Sequence, residues 1–368
     1  MAWNHLLEIL REVECIKKQT PTTQADLVEN YIGIRIHQLL KKLPQHMAMT
    51  CARLLLGLTS YLNPSFRKVA SDSFGAYAVA ANMRVPLGYL GALAPIITEI
   101  SPERILYKKQ VLNIRWGTVT SDQHPRAVIK CKDGSVYNAD YVVITIPLGV
   151  LKANVDNMFC PPISPNKVTA IKTLSVGHKA KIFMEFDQPM WVWRDKKIQY
   201  KWHEGDLSSR PDFTKSLISM EELNGSEHII IATLKGDSVE DMEKLTDDEV
   251  SQIMTCFLME CLGDNSIPKP ISIVKTNWTT NPNFRGSFSY VPSGASESEI
   301  SPLRIPLPKG CNEIPSVLYF AGEHTCRPDL MGTVRGAMIS GIREAEQVIA
   351  AINQSAFEQH PCELLASC

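Results

Sequence analysis

The chain has 368 residues, of which 44% are hydrophobic and 21% are charged, and this ordinary composition excludes a disordered tail, a collagen and a coiled coil. Its length predicts about two domains. The 38 lysine and arginine residues are balanced by 39 aspartate and glutamate residues, so the net charge of -1 gives no general attraction for nucleic acid.

The sequence has none of the features of a membrane or secreted protein. Its longest apolar runs, such as residues 141–148, are far shorter than the roughly 20 residues that span a bilayer. The start of the chain carries acidic residues inside its apolar stretch, which is not typical of a secretory signal. The 10 cysteines are scattered singly, without the spacing of a zinc site. We therefore expect a cytoplasmic protein, with the nucleus as the alternative, that binds no metal, membrane or nucleic acid.

The first part of the chain predicts helices and the next part predicts strands. Apolar residues recur at helical spacing within residues 27–40 and 47–58. Short β-strands are predicted after residue 85, with a hairpin turn at Asp133-Gly134. These predicted strands are Val111–Trp116, Ala127–Lys130 and Tyr141–Pro147.

The central part predicts half-buried antiparallel strands beside a helix. Lys181–Phe186 and His228–Leu234 alternate polar and apolar residues, which is typical of such strands. A helix is predicted from Thr246, which can cap its first turn, to Gly263, just past its end. The three histidines His178, His203 and His324 lack the spacing of a catalytic triad and are predicted as surface or core residues.

The last part predicts a strand, a loop and a helix. Val317–Ala321 forms a buried strand, the loop brings Glu323 to the sheet edge, and the helix runs from about Thr333, its cap, to Asn353. The helix start offers unpaired N–H groups, and Gly336 and Gly341 leave room for a flat group near the backbone. The alternative is a strand–helix unit whose glycines serve packing only. The acidic stretch Glu240–Glu249 is interpreted as a solvated helix start rather than a polyamine-binding patch.

Five segments stand out because of their order along the chain. They are Val111–Trp116, Val143–Lys152, Phe159–Trp191, Trp278–Tyr290 and Ala321–Gly341. Together they resemble the motifs of the flavin-dependent amine oxidases, and they are most similar to those of the polyamine (spermine or N1-acetylpolyamine) oxidases. The resemblance extends from about residue 70 to 352, with a weaker helical match before it.

The resemblance implies an α/β (α+β) fold in which a Rossmann-like FAD-binding domain is combined with an antiparallel-sheet substrate domain and a helical segment. The implied boundaries are residues 1–84 for the mainly helical part of the substrate domain, 85–160 for the first part of the FAD-binding domain, 161–290 for the substrate-binding domain, 291–356 for the second part of the FAD-binding domain, and 357–368 for a tail.

The resemblance also implies which residues hold FAD. The backbone of Val111 would hold the adenine end, and Glu323 would lie by the ribityl and phosphate portion. The backbone at Thr333 and Val334 would face the flavin edge on which negative charge develops. The residues implied to line the cleft and the flavin ring are Thr145, Pro147 and Trp278.

Lys181 is the implied catalytic residue, because it matches the lysine with which the family holds a water near the flavin. From strand alternation alone it would be an exposed lysine, since Ile182, Met184 and Phe186 take the opposite face. Beside a flavin, its ammonium would position water for imine hydrolysis or assist reoxidation by oxygen.

Two features depart from the family pattern. The chain contains no GxGxxG turn for the pyrophosphate, and Gly88–Gly91 lacks both the third glycine and a preceding strand. The resemblance therefore describes a truncated form. The segment Arg327–Gly332 contains no aromatic residue and is one residue longer than the family pattern, although the family places a substrate-cage aromatic there. Such a ring attracts an amine by about 0.5–2 kcal/mol.

The predicted activity is oxidation of polyamines or related amines by hydride transfer to the flavin, imine hydrolysis and production of hydrogen peroxide. The predicted partners are a small-molecule amine and O2, and a dimer is a further option. The alternative is a catalytically impaired truncated isoform that acts as a binding or dimerisation partner. Histone demethylation is a third option by family kinship, although no segment is typical of a chromatin module. The sequence leaves the natural amine open.

Overall fold

The computed structural model describes residues 34–42, 88–117, 126–189, 197–199, 212–292, 294–309 and 316–359. Residues 34–40 are helical, while the rest of the predicted helical pattern in residues 1–84, together with Trp191 and His203, lies outside the described residues. The chain divides into two compact units. One contains Ser175–Ala295, and the other is built from Ala81–Leu174 and Ser296–Cys368. The finer domain boundaries implied by the resemblance stay a prediction.

The helices and strands are numbered here in chain order. The helices are α1 (Gly88–Ile97), α2 (Leu148–Met158), α3 (Pro165–Thr173), α4 (Val239–Lys244), α5 (Asp247–Leu262), α6 (Glu297–Ile300) and α7 (Val334–Gln359). The strands are β1 (Val111–Trp116), β2 (Ala127–Cys131), β3 (Val136–Ala139), β4 (Val142–Ile144), β5 (Phe159–Cys160), β6 (Ser175–Gly177), β7 (Lys179–Glu185), β8 (Lys197–Gln199), β9 (Leu217–Glu222), β10 (Ile229–Lys235), β11 (Ser272–Lys275), β12 (Phe288–Tyr290) and β13 (Leu318–Phe320).

The unit that contains Ser175–Ala295 is built on an antiparallel sheet with the strand order β11-β7-β10-β9-β8. Strands β7 and β10 pair from Ile229 opposite Glu185 to Lys235 opposite Lys179. Because side chains alternate along a strand, every second residue of β7 enters a core shared with α5. The most deeply buried residues of this core include Ile182, Met184, Met220, Ala232, Leu234, Val250 and Met254.

Helix α5 begins and ends where the sequence predicts. The Thr246 hydroxyl accepts a hydrogen bond from the N–H of Glu249, and the Glu249 carboxylate accepts one from the N–H of Thr246 at 2.8 Å. This reciprocal capping box satisfies N–H groups that would otherwise lack partners. At the other end Gly263 takes a left-handed conformation with φ of 65°. The predicted helix is thus confirmed.

The unit built from Ala81–Leu174 and Ser296–Cys368 contains a sheet with the strand order β3-β2-β1-β5 and a parallel pair of β4 and β13. The predicted hairpin at Asp133-Gly134 is confirmed, with Lys130 opposite Val136 on its two strands. The predicted strand at residues 141–147 is shorter in the structure, where it covers only β4. The reason is that Pro147 already caps α2 and so ends the extended segment.

A buried lysine joins α3 to the short turn Ser301–Arg304 in this unit. The Lys167 ammonium donates to the backbone carbonyls of Pro302, Leu303 and Ile305 at 2.9, 2.9 and 2.6 Å. Burial lowers the pKa of Lys167 to about 7. Three carbonyl acceptors satisfy a group that would otherwise be costly to bury.

Two absences hold for the described part of the chain. None of its helices is long and apolar enough to cross a membrane. No cluster of histidine, cysteine, aspartate or glutamate residues in this part could hold a metal ion.

Candidate functional site

The turn after β13 holds Glu323 beside the start of α7. Gly322 has φ of 119°, which favours glycine, and a Cβ at this position would lie 2.6 Å from the ring of His324. The Glu323 carboxylate accepts a hydrogen bond from the N–H of Gly332 at 2.5 Å. The acid and the residues that precede the helix are therefore fixed to each other.

The start of α7 is a positive helix end whose first amides have no acceptor among the described residues. The hydroxyl of Thr333 accepts a hydrogen bond from the N–H of Gly336 at 3.0 Å, which confirms the predicted cap. In the described part of the chain nothing accepts from the N–H groups of Val334 and Arg335. These amides and the helix dipole favour an electron-rich group at this position.

The parallel pairing of β4 and β13 brings further predicted residues to the same edge. The N–H of Ala321 donates to the carbonyl of Ile144 at 3.0 Å, so both strands end at the same level. Thr145 and Pro147 follow β4, and Glu323 follows β13. Ligands of α/β proteins bind outside the carboxyl ends of parallel strands. The structure therefore places these three residues at an edge suited to a ligand.

The remaining cofactor candidates lie elsewhere. Val111 opens β1, in the other sheet of the same unit, and pairs with Cys131. Trp278 belongs to the other unit, where its ring meets that of Phe284 edge-on at 4.8 Å and its carbonyl accepts from the N–H of Gly286. Their roles at a flavin stay predictions.

The two glycines of α7 differ from each other. A Cβ at Gly336 would lie 2.2 Å from the carbonyl oxygen of Leu330, so this glycine provides space for backbone packing. A Cβ at Gly341 would meet nothing within 4 Å. The positions are five residues apart and do not share a helix face. The expectation that both glycines leave room for a flat group is therefore wrong at Gly336, where the space is already filled.

A buried polar cluster surrounds the turn and was missed by the sequence analysis. Arg343 donates to the carbonyls of Phe320 and Thr325 at 2.9 and 3.1 Å and to the carboxylate of Glu344 at 2.6 Å. Among the described residues neither the second oxygen of Glu344 nor Nε2 of His324 has a partner. Burial raises the pKa of Glu344. The one sequence feature that could have indicated this cluster is the adjacent arginine and glutamate within an apolar helix.

Acid should weaken the fold through His324. This side chain is 3% exposed, and burial, with a smaller contribution from the Arg343 charge, lowers the pKa of His324 to about 4. Between pH 6.5 and about 4 the unfolded chain binds a proton there that the folded chain does not. We therefore expect the free energy of unfolding to fall as pH drops through this window, by about 3 kcal/mol in total.

Urea denaturation at several pH values measures this effect. The variant His324→Gln, which keeps a neutral polar side chain, should show a flatter dependence between pH 6.5 and 4. Equal slopes in the two proteins would contradict the assignment to His324.

Lys181 lies on β7 in the unit that contains Ser175–Ala295. Ile182, Met184 and Phe186 are buried on the opposite face, as the alternation predicts. Lys181 itself is half-buried rather than exposed, and no described residue forms a hydrogen bond or an ion pair with its ammonium. Its backbone N–H donates to the hydroxyl of Thr276 at 2.9 Å. A half-buried ammonium without a partner can hold water or a ligand.

The remaining candidate residues are two histidines and the acidic stretch, and their surroundings indicate structural roles. His178 is half-buried and its Nδ1 lies 3.1 Å from the Thr279 hydroxyl, and His324 is a core residue. Most of the acidic stretch Glu240–Glu249 is exposed at helix starts, as predicted. Glu243 is the exception, because it is buried and accepts from the backbone N–H groups of Thr279 and Thr280.

The segment before α7 contributes no aromatic side chain. Its backbone turns through hydrogen bonds from Leu330 and Met331 to the Arg327 carbonyl at 3.0 and 3.1 Å. Met331 is fully buried. The side chain that the structure buries here is thus aliphatic, and the predicted loss of the cage aromatic stays a prediction about substrate binding.

Residues 55–349 match the family model described as flavin containing amine oxidoreductase. The chain belongs to this family. It is 32% identical over 298 residues to the peroxisomal N(1)-acetyl-spermine/spermidine oxidase of Bos taurus and 31% identical over 299 residues to that of Homo sapiens. These alignments cover 76% and 77% of this chain but 58% of each relative, so the chain spans little more than half the length of these relatives.

A solved structure shares the fold of this amine oxidoreductase family member. Wild-type putrescine oxidase bound to putrescine is similar with a TM-score of 0.55 and 14% identity, over 82% of this chain and 60% of that chain. The predicted α/β fold of a flavin amine oxidase is confirmed. FAD is likewise confirmed as the cofactor of the family, and the resemblance to polyamine oxidases is confirmed by the two relatives.

Proposed function

We propose that this chain oxidises polyamines or related amines with FAD. The observation that carries the proposal is the edge at which β4 and β13 end, where Glu323 is bonded to the residue preceding Thr333 and free amides follow. This edge belongs to a member of the flavin containing amine oxidoreductases. The names of the two relatives support acetylated polyamines as the substrate class.

The residues at this edge fit a flavin. The free N–H groups of Val334 and Arg335 suit an electron-rich ring edge, and the Glu323 carboxylate suits a hydroxyl-bearing chain. When bound, FAD supplies a hydride acceptor that passes its electrons to oxygen. The other residues proposed to contact it are Val111, Thr145, Pro147 and Trp278.

The proposed reaction converts an amine, O2 and water into a carbonyl compound, a shorter amine and hydrogen peroxide. The carbon next to nitrogen is oxidised, and water then cleaves the resulting imine. Lys181 holds water for this hydrolysis or stabilises negative charge on oxygen as oxygen is reduced. The reacting amine must be neutral to lose hydride, so the rate should rise with pH.

The second candidate function is that of a binding or dimerisation partner without its own activity. A chain without a GxGxxG turn would favour it, because this turn holds the pyrophosphate of FAD in the family pattern. Each charge-assisted hydrogen bond to a pyrophosphate is worth about 1.5–3 kcal/mol, so two or three lost bonds weaken FAD binding by roughly two to six powers of ten. A chain that co-purifies with a full-length oxidase and never binds flavin would fit this function.

The deciding experiment separates flavin binding from turnover. We expect the purified chain to be nearly colourless and to take up FAD only at high concentration, or after a GxGxxG strand–turn–helix segment is joined to it. Glu323→Ala should weaken that uptake. The flavin-saturated protein should then release peroxide with acetylated spermine or spermidine. If a flavin-saturated sample releases no peroxide with any amine tested, the proposed amine oxidase activity is rejected. The second candidate function, a binding or dimerisation partner, would then remain.

A further inference from the structure

A row of polar residues crosses the sheet at the level of Lys181. The register places Lys181 opposite Thr233, and Thr233 opposite Ser219. The N–H of Thr276 donates to the carbonyl of Lys181 at 3.0 Å, so Thr276 extends the row on the other side. Residues opposite each other in antiparallel strands point to the same face. Lys181, Thr233 and Ser219 therefore share the face opposite the hydrophobic core, and these three together with Thr276 are called the polar row below.

Among the described residues, three members of the polar row have no hydrogen-bonding partner for their side chains. The Thr276 hydroxyl is used, because it accepts from the N–H of Lys181. Ser219 and Thr233 are only 3% and 6% exposed, yet no described residue forms a hydrogen bond with either hydroxyl. The Lys181 ammonium is likewise without a partner among the described residues. Buried polar groups in native proteins are usually satisfied, so these three side chains are suited to bind water.

The spacing of Thr233 and Ser219 suits a bridging water between their hydroxyls. Side chains opposite each other on antiparallel strands have Cβ atoms about 4.5–5.5 Å apart, and these two hydroxyls are attached directly to Cβ. A water that bonds both hydroxyls at about 2.8 Å each spans this gap, and further waters would continue to the ammonium at the end of the longer Lys181 stem. Hydrogen-bond donors and acceptors can also alternate along the row. The ammonium only donates, whereas each hydroxyl both donates and accepts.

We propose that the Thr233 and Ser219 hydroxyls hold a file of water that ends on the Lys181 ammonium. Both are then positioning residues, since they act on the reaction through the water and the charge of Lys181. The inference deepens the proposed function and rests on it for the catalytic meaning of Lys181. The file itself depends only on the register and the unpartnered groups.

Other charged residues lie on this face of the sheet, so hydrogen-bond acceptors near the Lys181 ammonium are important. Two residues from the Lys181–Thr233 pair on one side, Lys179 of β7 lies opposite Lys235 of β10. Two residues from it on the other side, Ile231 of β10 lies opposite Glu221 of β9. Glu185 lies at the far end of β7. Burial, with a smaller contribution from the Lys179 charge, lowers the pKa of Lys235 to about 7. Water oxygens held by the hydroxyls would accept hydrogen bonds from the Lys181 ammonium.

The test measures the acylation of Lys181 as a function of pH by mass spectrometry, in the chain without flavin or amine. Only the neutral amine reacts, so losing the file should increase the reactive fraction. We expect Thr233→Val to raise the acylation rate of Lys181 at pH 8 at least about threefold, because the amine loses the acceptors that hold its proton. Thr233→Ser, which keeps the hydroxyl, should match the unmodified chain, and the exposed Lys130 is the internal control.

Ser219→Ala tests the far end of the file and should shift the profile of Lys181 in the same direction by a smaller amount. If the pH dependence of Lys181 acylation is unchanged in both Thr233→Val and Ser219→Ala, the inference is overturned. If Thr233→Val does not fold, the result for Ser219→Ala decides alone. A shifted profile with unchanged turnover of the flavin-loaded enzyme would support the file and reject the proposed role of Lys181. An unshifted profile would leave that role intact.

Discussion

Replacing Lys181 with methionine should lower the turnover of an amine by about 10²–10³-fold, with little change in KM. Methionine preserves the length and apolar stem of the side chain but removes the charge and the donors that hold water. Loss of one preorganised charged donor at a reacting centre costs this much in rate. The measurement is peroxide release from the flavin-saturated chain at varied amine concentration.

The choice of electron acceptor separates the two roles of Lys181. If the ammonium acts on oxygen, an artificial acceptor should restore the rate of Lys181→Met. If it acts on imine hydrolysis, formation of the carbonyl product should stay slow with either acceptor. Lys179→Met is the matched control, because Lys179 lies two residues earlier on the same face of the strand and is exposed. Equal losses in both variants would contradict a specific role for Lys181.

The variant Gly336→Ala should lower the free energy of unfolding by about 3 kcal/mol. The added Cβ would lie 2.2 Å from the carbonyl oxygen and 3.1 Å from the carbonyl carbon of Leu330, and 3.2 Å from the Thr333 hydroxyl. Backbone atoms cannot move aside as a flexible side chain does, so either the helix or the preceding turn must shift. The same shift would pull Thr333 away from the Gly336 N–H that it caps.

Gly341→Ala provides the control on the same helix. Nothing lies within 4 Å of its added Cβ, so alanine should raise stability by about 0.5–1 kcal/mol through its better helix propensity. Denaturation with urea or heat measures both variants. Similar effects at the two positions would show that the close approach of the Leu330 carbonyl is not what requires glycine at position 336.

The sequence predicted structural features correctly where the interaction involves residues that are close together along the chain. The cap at Thr246 and the stop at Gly263 depend on residues within one helical turn, so the limits of α5 could be read from the sequence. The Thr333 cap and the turn at Asp133-Gly134 are of the same kind. The buried face of β7 was also predictable, because strand alternation depends only on sequence period.

Features that depend on distant segments could not be predicted in this way. Nothing near Lys167 in sequence indicates that carbonyls more than a hundred residues away surround its ammonium. The filled space at Gly336 depends on the path of the preceding turn, which residue types alone leave open. The polar row needed the register of three strands before Ser219 and Thr233 could be related to Lys181. Candidate site residues were therefore found by motif, whereas their surroundings required the structure.

The pairing of β4 with β13 sets an order for folding during synthesis. Val142 and Leu318 are separated in sequence by the whole of Ser175–Ala295, whereas the five-stranded sheet is formed within residues 179–275. Closing the longer loop costs more chain entropy, and β13 is the last of these strands to leave the ribosome. The five-stranded sheet can thus form while β4 still presents an open strand edge. Slow translation before residue 318 would prolong the exposure of that edge to other nascent chains.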